Sequence, residues 1–485
     1  MQTAVKFQQI LDTRNLMFLA VILAAITIVR CFDSNFWTDE CYTIHAIHLS
    51  YGEILHYLLT ADAHPPTYYY FAKVLCDVFG YTPFVYHMTA YIPFVLILIV
   101  SLTLVRRTFG NETAFVVMVC GALLTSSFKY ATEVRMYELA LLFMLLFAVY
   151  FYRVMESDDS RLLTKDTLLL ALFTVLASYT HIFCAIGIGM FLMIALPVVF
   201  RWKREKFKHA LLAFVVFGAA CFPVAIYAAS RFDRFPDDFW ITGFPPLWEV
   251  YGYIFGQKEM VAVTAVFTVI LALVLYHLFG KGKCDVCERY LEPAEERPSV
   301  DGIFLLLCIS SILATILLSF IVTVAVRPVF STRYIYPLTV LVWLSLGICI
   351  TKFRDRFKIL GLVTLVILVF VIPMNVYDGL KEMDTISETD DTLSRLHIGH
   401  DDFVATDSAN PVTIEYYLDV TYENIMWMKD FNTDMLRTDV DNWLILWDHI
   451  GEAEIQMLSD SGHGYETVLE DGHIGKYQAN VYRVV

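Results

Sequence analysis

Charge is what this 485-residue chain has least of: Asp, Glu, Lys and Arg make up only 18% of it, against about 25% in ordinary soluble domains. Basic residues are the scarcer kind, 35 against 50 acidic, and a nucleic-acid binder needs a basic surface, so no nucleic-acid partner is expected. Cysteine is sparse and scattered, ten residues that fall mostly inside apolar segments, where a thiol acts as a small hydrophobe. The one close pair, Cys284 and Cys287 in "KCDVCER", lacks the second pair or the histidines of a zinc site and reads as two reduced loop thiols. No short apolar segment with a small-residue cleavage site is evident near the start, so the first apolar run reads as a retained span. The sole Asn-x-Thr sequon, at Asn111, gives little support to a secretory-pathway glycoprotein.

Apolar residues fill the space that charge vacates. They make up 58% of the chain, with a mean hydropathy of +0.58, and they recur in runs long enough to cross a hydrocarbon core about 30 Å thick. About eleven spans are expected, at 16–29, 85–105, 113–128, 137–152, 166–179, 182–200, 209–229, 261–279, 302–326, 334–350 and 360–377. Basic clusters fall on alternate connections: Arg106 and Arg107, "RWKREKFK" from Arg201, "KGK" from Lys281, and "KFRDRFK" from Lys352. Positive loops stay cytoplasmic, which puts the N-terminus inside and the intervening connections outside. The expected setting is a prokaryotic plasma membrane.

The first outer connection, 33–84, is too long for a simple loop. Its "SYGEILHYLL" and "PPTYYYFAKVLCDVF" segments suit amphipathic helices lying on the membrane surface, in contact with lipid. From Asp378 on, 23 acidic residues face 6 basic ones, a net −17 that accounts for the whole chain's −15. That shift divides the chain into a membrane domain, 1–377, and an acidic outer-face domain, 378–485. In the tail, "DDFVATD" and "NWLILWD" read as strands, "PVTIEYYL" and "EAEIQMLSD" as helices. A closing hairpin is expected around Asp471-Gly472, in a mostly parallel sheet without a Gly-rich phosphate loop.

Chemistry-bearing residues collect on the outer side. Asp39 and Glu40 stand in "WTDECYT" of the first loop, Asp62 and His64 in "ADAHPPTYYY". Lys129, Glu133, Arg135 and Tyr137 come from "KYATEVRMY", His181 from the tight turn "YTHIF", and Arg327, Arg333 and Tyr334 from "RPVFSTRYIYP". Ionisable groups at membrane depth are costly and usually pair or work. Carboxylates, cations and tyrosines together suit attack by a hydroxyl on a sugar joined to a lipid phosphate. A carboxylate can serve as the base for the hydroxyl, while cations meet the charge that grows on the departing phosphate. A polytopic lipid or sugar transporter, or an idle membrane scaffold presenting the tail, are the rival readings. No repeat relates the two halves, and the charges gather at one face rather than at mid-depth, against the transporter pattern.

"TDE" after the first span, "HPPTYYYFAK", "EVRMYELALLF", "YTHIF" and "TRYIYPL" together resemble the GT-C superfamily of polyprenyl-phosphate-sugar glycosyltransferases. The likeness is to glycosyltransferase family 39 and its bacterial relatives, protein O-mannosyltransferases and lipid A aminoarabinose transferases among them, and it runs from about Phe36 to Pro337. The resemblance implies a polytopic α-helical membrane protein of GT-C type carrying a small C-terminal α/β domain. It implies an inverting transfer from a polyprenyl-phosphate sugar donor to a lipid, glycan or protein acceptor. It places the catalytic base on Asp39, with Glu40 assisting it or binding a divalent cation (Mg or Mn) or the acceptor. Arg333 falls where the family contacts the donor phosphate, with Arg135 as a second candidate; Tyr334, Glu133 and His181 complete the expected donor surround. His64 stands where some relatives carry a lysine.

Overall fold

The computed structural model describes residues 11–60, 64–231, 241, 243–255, 298–352, 377, 380–381, 386–407, 411–447 and 452–485. Helix α1 (Thr13–Ile28) starts where the Asp12 side chain accepts the Asn15 N–H at 2.8 Å, and a 3₁₀ turn carries it to Phe32. After a short extended stretch comes α2 (Thr38–His48), so Asp39 and Glu40 occupy the first turn of a helix rather than a loop. Exposed N–H groups and the positive end of the helix dipole favour acids at that position. The two amphipathic helices are present as α3 (Tyr51–Thr60) and α4 (Thr67–Phe79). Ile54, Leu58, Tyr68, Ala72 and Cys76 are buried, while Leu55, Leu59, Val78 and Phe79 stay exposed, so each helix has one packed face and one apolar face turned outward.

Helix α5 (Pro83–Val100) runs on through a π turn to Phe109. Then follow α6 (Asn111–Leu123), α7 (Thr125–Tyr130), α8 (Tyr137–Glu156), α9 (Lys165–Ser178), α10 (Ile182–Trp202), α11 (Phe207–Arg231), α12 (Leu247–Phe255) and α13 (Val300–Ala325). A 3₁₀ segment (Thr332–Leu338) leads into α14 (Thr339–Lys352). Among the described residues, seven helices are long and apolar enough to cross a membrane: Thr13–Phe32, Pro83–Phe109, Tyr137–Glu156, Ile182–Trp202, Arg204–Pro223, Val300–Ala325 and Thr332–Thr351. The chain is a multi-pass membrane protein. The span expected at 113–128 is broken at Leu124, whose extended backbone separates α6 from α7. Helix α9, at 14 residues, is shorter than the roughly 20 of a full crossing. The spans expected at 261–279 and 360–377, Tyr377 apart, lie outside the described residues, as do Asp62 and the Cys284–Cys287 pair.

Helix α14 packs tightly on α6, where a Cβ on Gly347 would stand 2.6 Å from the Thr113 Cα, so only glycine permits the approach. One end of the bundle is tied by Arg106 to Thr13 (3.0 Å), Tyr152 to Asp301 (2.8 Å) and Lys206 to the Asp159 carbonyl (2.7 Å). That basic end holds Arg106 and Lys206 of the expected cytoplasmic clusters. Asp39, Glu133, Arg135, His181 and Arg333 all sit at helix boundaries of the other end.

The C-terminal part adds α15 (Ile386–Arg395), α16 (Pro411–Leu418) and α17 (Glu452–Asp460) around a five-stranded sheet. Its strands are β1 (Phe403–Thr406), β2 (Ile425–Trp427), β3 (Asn442–Trp447), β4 (Tyr465–Ile474) and β5 (Tyr477–Val484), in the order β2-β1-β3-β5-β4. Only the β1–β2 and β1–β3 pairs are parallel; β3–β5 and β4–β5 are antiparallel, so the sheet is mixed rather than mostly parallel. A tight turn can join only antiparallel neighbours, and the last hairpin supplies them. The hairpin turns at Gly475-Lys476, not at Asp471-Gly472. Asp471 takes a left-handed conformation (φ 51°) inside an irregular stretch of β4, where its N–H donates to the Asn480 side chain at 2.8 Å. An Asp-Gly pair suits a bulge as well as a turn.

Candidate active site

Asp39 and Glu40 are neighbours in sequence, but successive residues on a helix point about 100° apart. Each therefore meets a different set of partners. The Asp39 carboxylate turns toward the segment before α14 and pairs with Arg333, Oδ2 to Nη1 at 2.9 Å. Both side chains keep about a fifth of their surface accessible, 21% for Asp39 and 17% for Arg333, so the pair borders open space. The Arg333 guanidinium lies 5.1 Å from the Trp37 ring centre, and the Lys129 ammonium lies 5.5 Å from the same ring. Trp37 thus gathers two cations beside Asp39. Buried Arg135 donates to the Asp39 carbonyl at 3.0 Å and to the Thr43 hydroxyl at 3.2 Å, which ties the 131–136 segment to α2.

His181, the cap of α10, closes another side. Its ring stands 6.3 Å from His64, 5.6 Å from Tyr137 and 5.8 Å from Tyr334, centre to centre. Its Nδ1 accepts the Phe183 N–H at 3.1 Å, so the proton of the neutral ring sits on Nε2, which is buried and has no hydrogen-bond partner among the described residues. Burial, with His64, Arg135 and Arg333 near, pushes this imidazole well below its ordinary value.

Glu40 points the other way and is 1% exposed. It accepts the Val134 N–H at 2.9 Å and the N–H of Trp37, the residue capping its own helix, at 3.2 Å. Lys476, reaching in from the β4–β5 turn, lies 3.5 Å from Glu40 and 3.9 Å from buried Asp33. Burial opposes ionisation of Glu40, but Lys476 and the backbone donors outweigh it and hold the carboxyl below its usual range. Glu133 faces the same small cavity, with both carboxyl oxygens buried and without hydrogen bonds among the described residues, and with Lys129 at 3.9 Å. Burial pushes its carboxyl up to about 7, against the pull of Lys129.

The residues expected at the site thus fall into two adjoining groups: Asp39, Arg333, Arg135, His181, His64 and Tyr334 on one side, Glu40 and Glu133 on the other. Lys129 and Trp37 stand between them. Among the described residues no group of three His, Cys, Asp or Glu could hold a metal. A divalent ion at Asp39 and Glu40 would compete with Arg333 for one carboxylate and with Lys476 and two N–H donors for the other. Sequence reasoning missed Trp37, Asp33 and Lys476. The available signal for Lys476 was its rarity, one of 6 basic residues in an acidic tail, beside a turn-forming glycine.

The backbone decides the comparison. Over 96% of this chain and 97% of the other, it superimposes on the crystal structure of ArnT from Cupriavidus metallidurans in the apo state, with a TM-score of 0.63 and 10% identity. The structure of that ArnT bound to undecaprenyl phosphate gives the same coverage, a TM-score of 0.61 and 12% identity. The chain has an ArnT-like fold. The match covers nearly all of both chains, so the likeness in fold extends past the helix bundle into the C-terminal sheet. No protein-family model matches the sequence, and no curated protein is significantly similar to it.

Proposed function

We propose that this protein is a glycosyltransferase that moves a monosaccharide from a polyprenyl-phosphate donor to a hydroxyl or amine of a lipid, glycan or protein acceptor. The observation that carries the reading is the Asp39–Arg333 pair, a carboxylate and a guanidinium 2.9 Å apart and partly open at one end of an ArnT-like bundle. Undecaprenyl phosphate bound to the similar ArnT supports a lipid-phosphate donor of this class. The clustering of basic residues at the opposite end of the bundle supports a cytoplasmic N-terminus and an extracytoplasmic site and C-terminal domain.

In this reading Asp39 removes the proton from the acceptor oxygen as that oxygen attacks the anomeric carbon. The bond from that carbon to the phosphate oxygen breaks from the opposite face, so configuration inverts and the lipid phosphate leaves with the electron pair. Arg333 has five N–H donors, enough to hold Asp39 along one edge and the phosphate along another. Lys129 adds positive charge, and the Nε2–H of His181 supplies a donor ready for a sugar or phosphate oxygen. Arg135 holds α2 in place.

Purified protein given a panel of polyprenyl-phosphate sugars and an envelope acceptor fraction tests the reading, beside an Asp39→Asn variant of matched thermal stability. Transfer by the parent and not the variant is the expected result. Equal transfer by both moves the base away from Asp39, and no transfer from any donor overturns the assignment.

A further inference from the structure

The C-terminal sheet does more than rest on the bundle. Two tyrosine hydroxyls of the C-terminal part, Tyr417 from α16 and Tyr477 from β5, hold the backbone that leads into α2. Tyr417 takes the Phe36 N–H at 2.6 Å and donates to the Phe36 carbonyl at 3.1 Å; Tyr477 takes the Thr38 N–H at 2.9 Å and lies 2.7 Å from the Thr38 hydroxyl. Between these tyrosines in space, the two-residue turn Gly475-Lys476 presses onto the same strand of chain. Gly475 has φ +62°, and a Cβ there would meet the Tyr417 hydroxyl at 2.6 Å and the Phe36 carbonyl at 2.8 Å. A glycine in that conformation at the first position of a two-residue hairpin lets the next side chain project outward from the turn. That side chain is Lys476, and it ends beside Glu40 and Asp33.

We propose that Lys476 is a positioning residue for the transfer reaction, set by the C-terminal domain onto Glu40 so that the first turn of α2 keeps Asp39 facing Arg333. Glu40 performs two tasks with its two oxygens: one receives the Trp37 N–H, the other the Val134 N–H. Both tasks need acceptors. Protonation makes one oxygen an O–H donor with less acceptor capacity and removes the charge that strengthens both bonds, so the two backbone contacts weaken. Lys476 supplies the nearby charge that keeps both oxygens accepting. The groups around it are Asp33 from the α1–α2 connection, Glu40 from α2, Glu133 from the α7–α8 connection and Arg30 from the end of α1. Asp39 is the next residue along α2 from these contacts, and a displacement of about 1 Å at a reacting group can cost about 10²-fold in rate. The C-terminal domain thus completes the site without touching the substrate.

The role rests on the transferase reading, and the test separates the two. Full-length Lys476→Met, Lys476→Arg and Tyr477→Phe are assayed with the donor the parent turns over, and Lys476→Met is combined with Glu40→Gln in a thermal double-mutant cycle. The expected result is a loss in kcat on the order of 10-fold or more for Lys476→Met, with the donor KM changed less than about threefold. Lys476→Arg should recover most of the loss, and Tyr477→Phe, which keeps the lysine and removes one hydroxyl, should lower kcat in the same direction. Thermal shifts of the two single variants should be non-additive. Parent-like kcat in Lys476→Met, or a loss that Lys476→Arg does not recover, overturns the positioning role. Additive thermal shifts overturn the Glu40–Lys476 coupling whatever the activity. A parent inactive with every donor overturns the transferase reading instead.

Discussion

Asp39 Oδ2 lies 2.9 Å from Arg333 Nη1, which joins the first turn of α2 to the 3₁₀ segment that opens the last described span. In the proposed transfer, a base held by a cation is oriented, and the same cation would meet an anionic leaving group. Three consequences follow for this pair and its neighbours, and one for the domain junction.

Asp39→Asn keeps the shape and the hydrogen-bonding edge but removes the charge and the basic oxygen. Transfer should fall by about 10²- to 10⁴-fold, the usual worth of a positioned general base. Steady-state kinetics should show the fall in kcat, with a smaller change in donor KM.

Arg333→Lys retains one positive charge but loses the planar fork that can serve two partners at once. Both a raised donor KM and a lowered kcat are expected, with Arg333→Ala worse on each count. Competition by free polyprenyl phosphate should weaken in parallel, since the same guanidinium would bind product. Unchanged inhibition by polyprenyl phosphate in Arg333→Ala would place the phosphate elsewhere.

Glu133 makes a pH prediction whose sign is set by burial. Its carboxyl is raised in the folded protein to about 7 from an ordinary 4.5, so the folded state binds a proton that the unfolded chain releases earlier. The contribution is fully present below the unfolded value and is lost as pH rises through the folded one. Relative to Glu133→Gln, which has nothing to ionise, the parent should therefore lose thermal stability between about pH 5 and about pH 8. Parallel melting curves for the two proteins across that window would remove the assignment.

Gly475→Ala and Gly462→Ala form a matched pair. Both glycines have positive φ, +62° and +83°, but a Cβ on Gly462 meets nothing within 4 Å, whereas one on Gly475 meets the Tyr417 hydroxyl and the Phe36 carbonyl. Backbone strain of about 1 kcal/mol is common to both. The extra loss of melting temperature in Gly475→Ala measures how firmly the hairpin docks on the approach to α2, and transfer activity should fall only in that variant.

The sequence by itself determined the class of the protein and most of its elements. Apolar runs of span length, basic clusters on alternate connections and two amphipathic tyrosine-rich segments are one-dimensional patterns, and burial against lipid or core follows directly from them. Asp39 and Arg333 were legible for a related reason: an ionisable group at the end of an apolar run is expensive, so its presence points to a partner or a task. Only the tertiary structure decided which partners each acid meets. That Glu40 turns away from Asp39 depends on the start of α2 at Thr38, which makes a helix of what reads as a loop. That Lys476 meets Glu40 depends on the hairpin turning at Gly475 rather than at Asp471-Gly472, because two glycine-containing pairs four residues apart are equally good turns locally. The choice between them is made by long-range packing, where the Tyr417 hydroxyl and the Phe36 backbone leave room for a hydrogen and not for a methyl group.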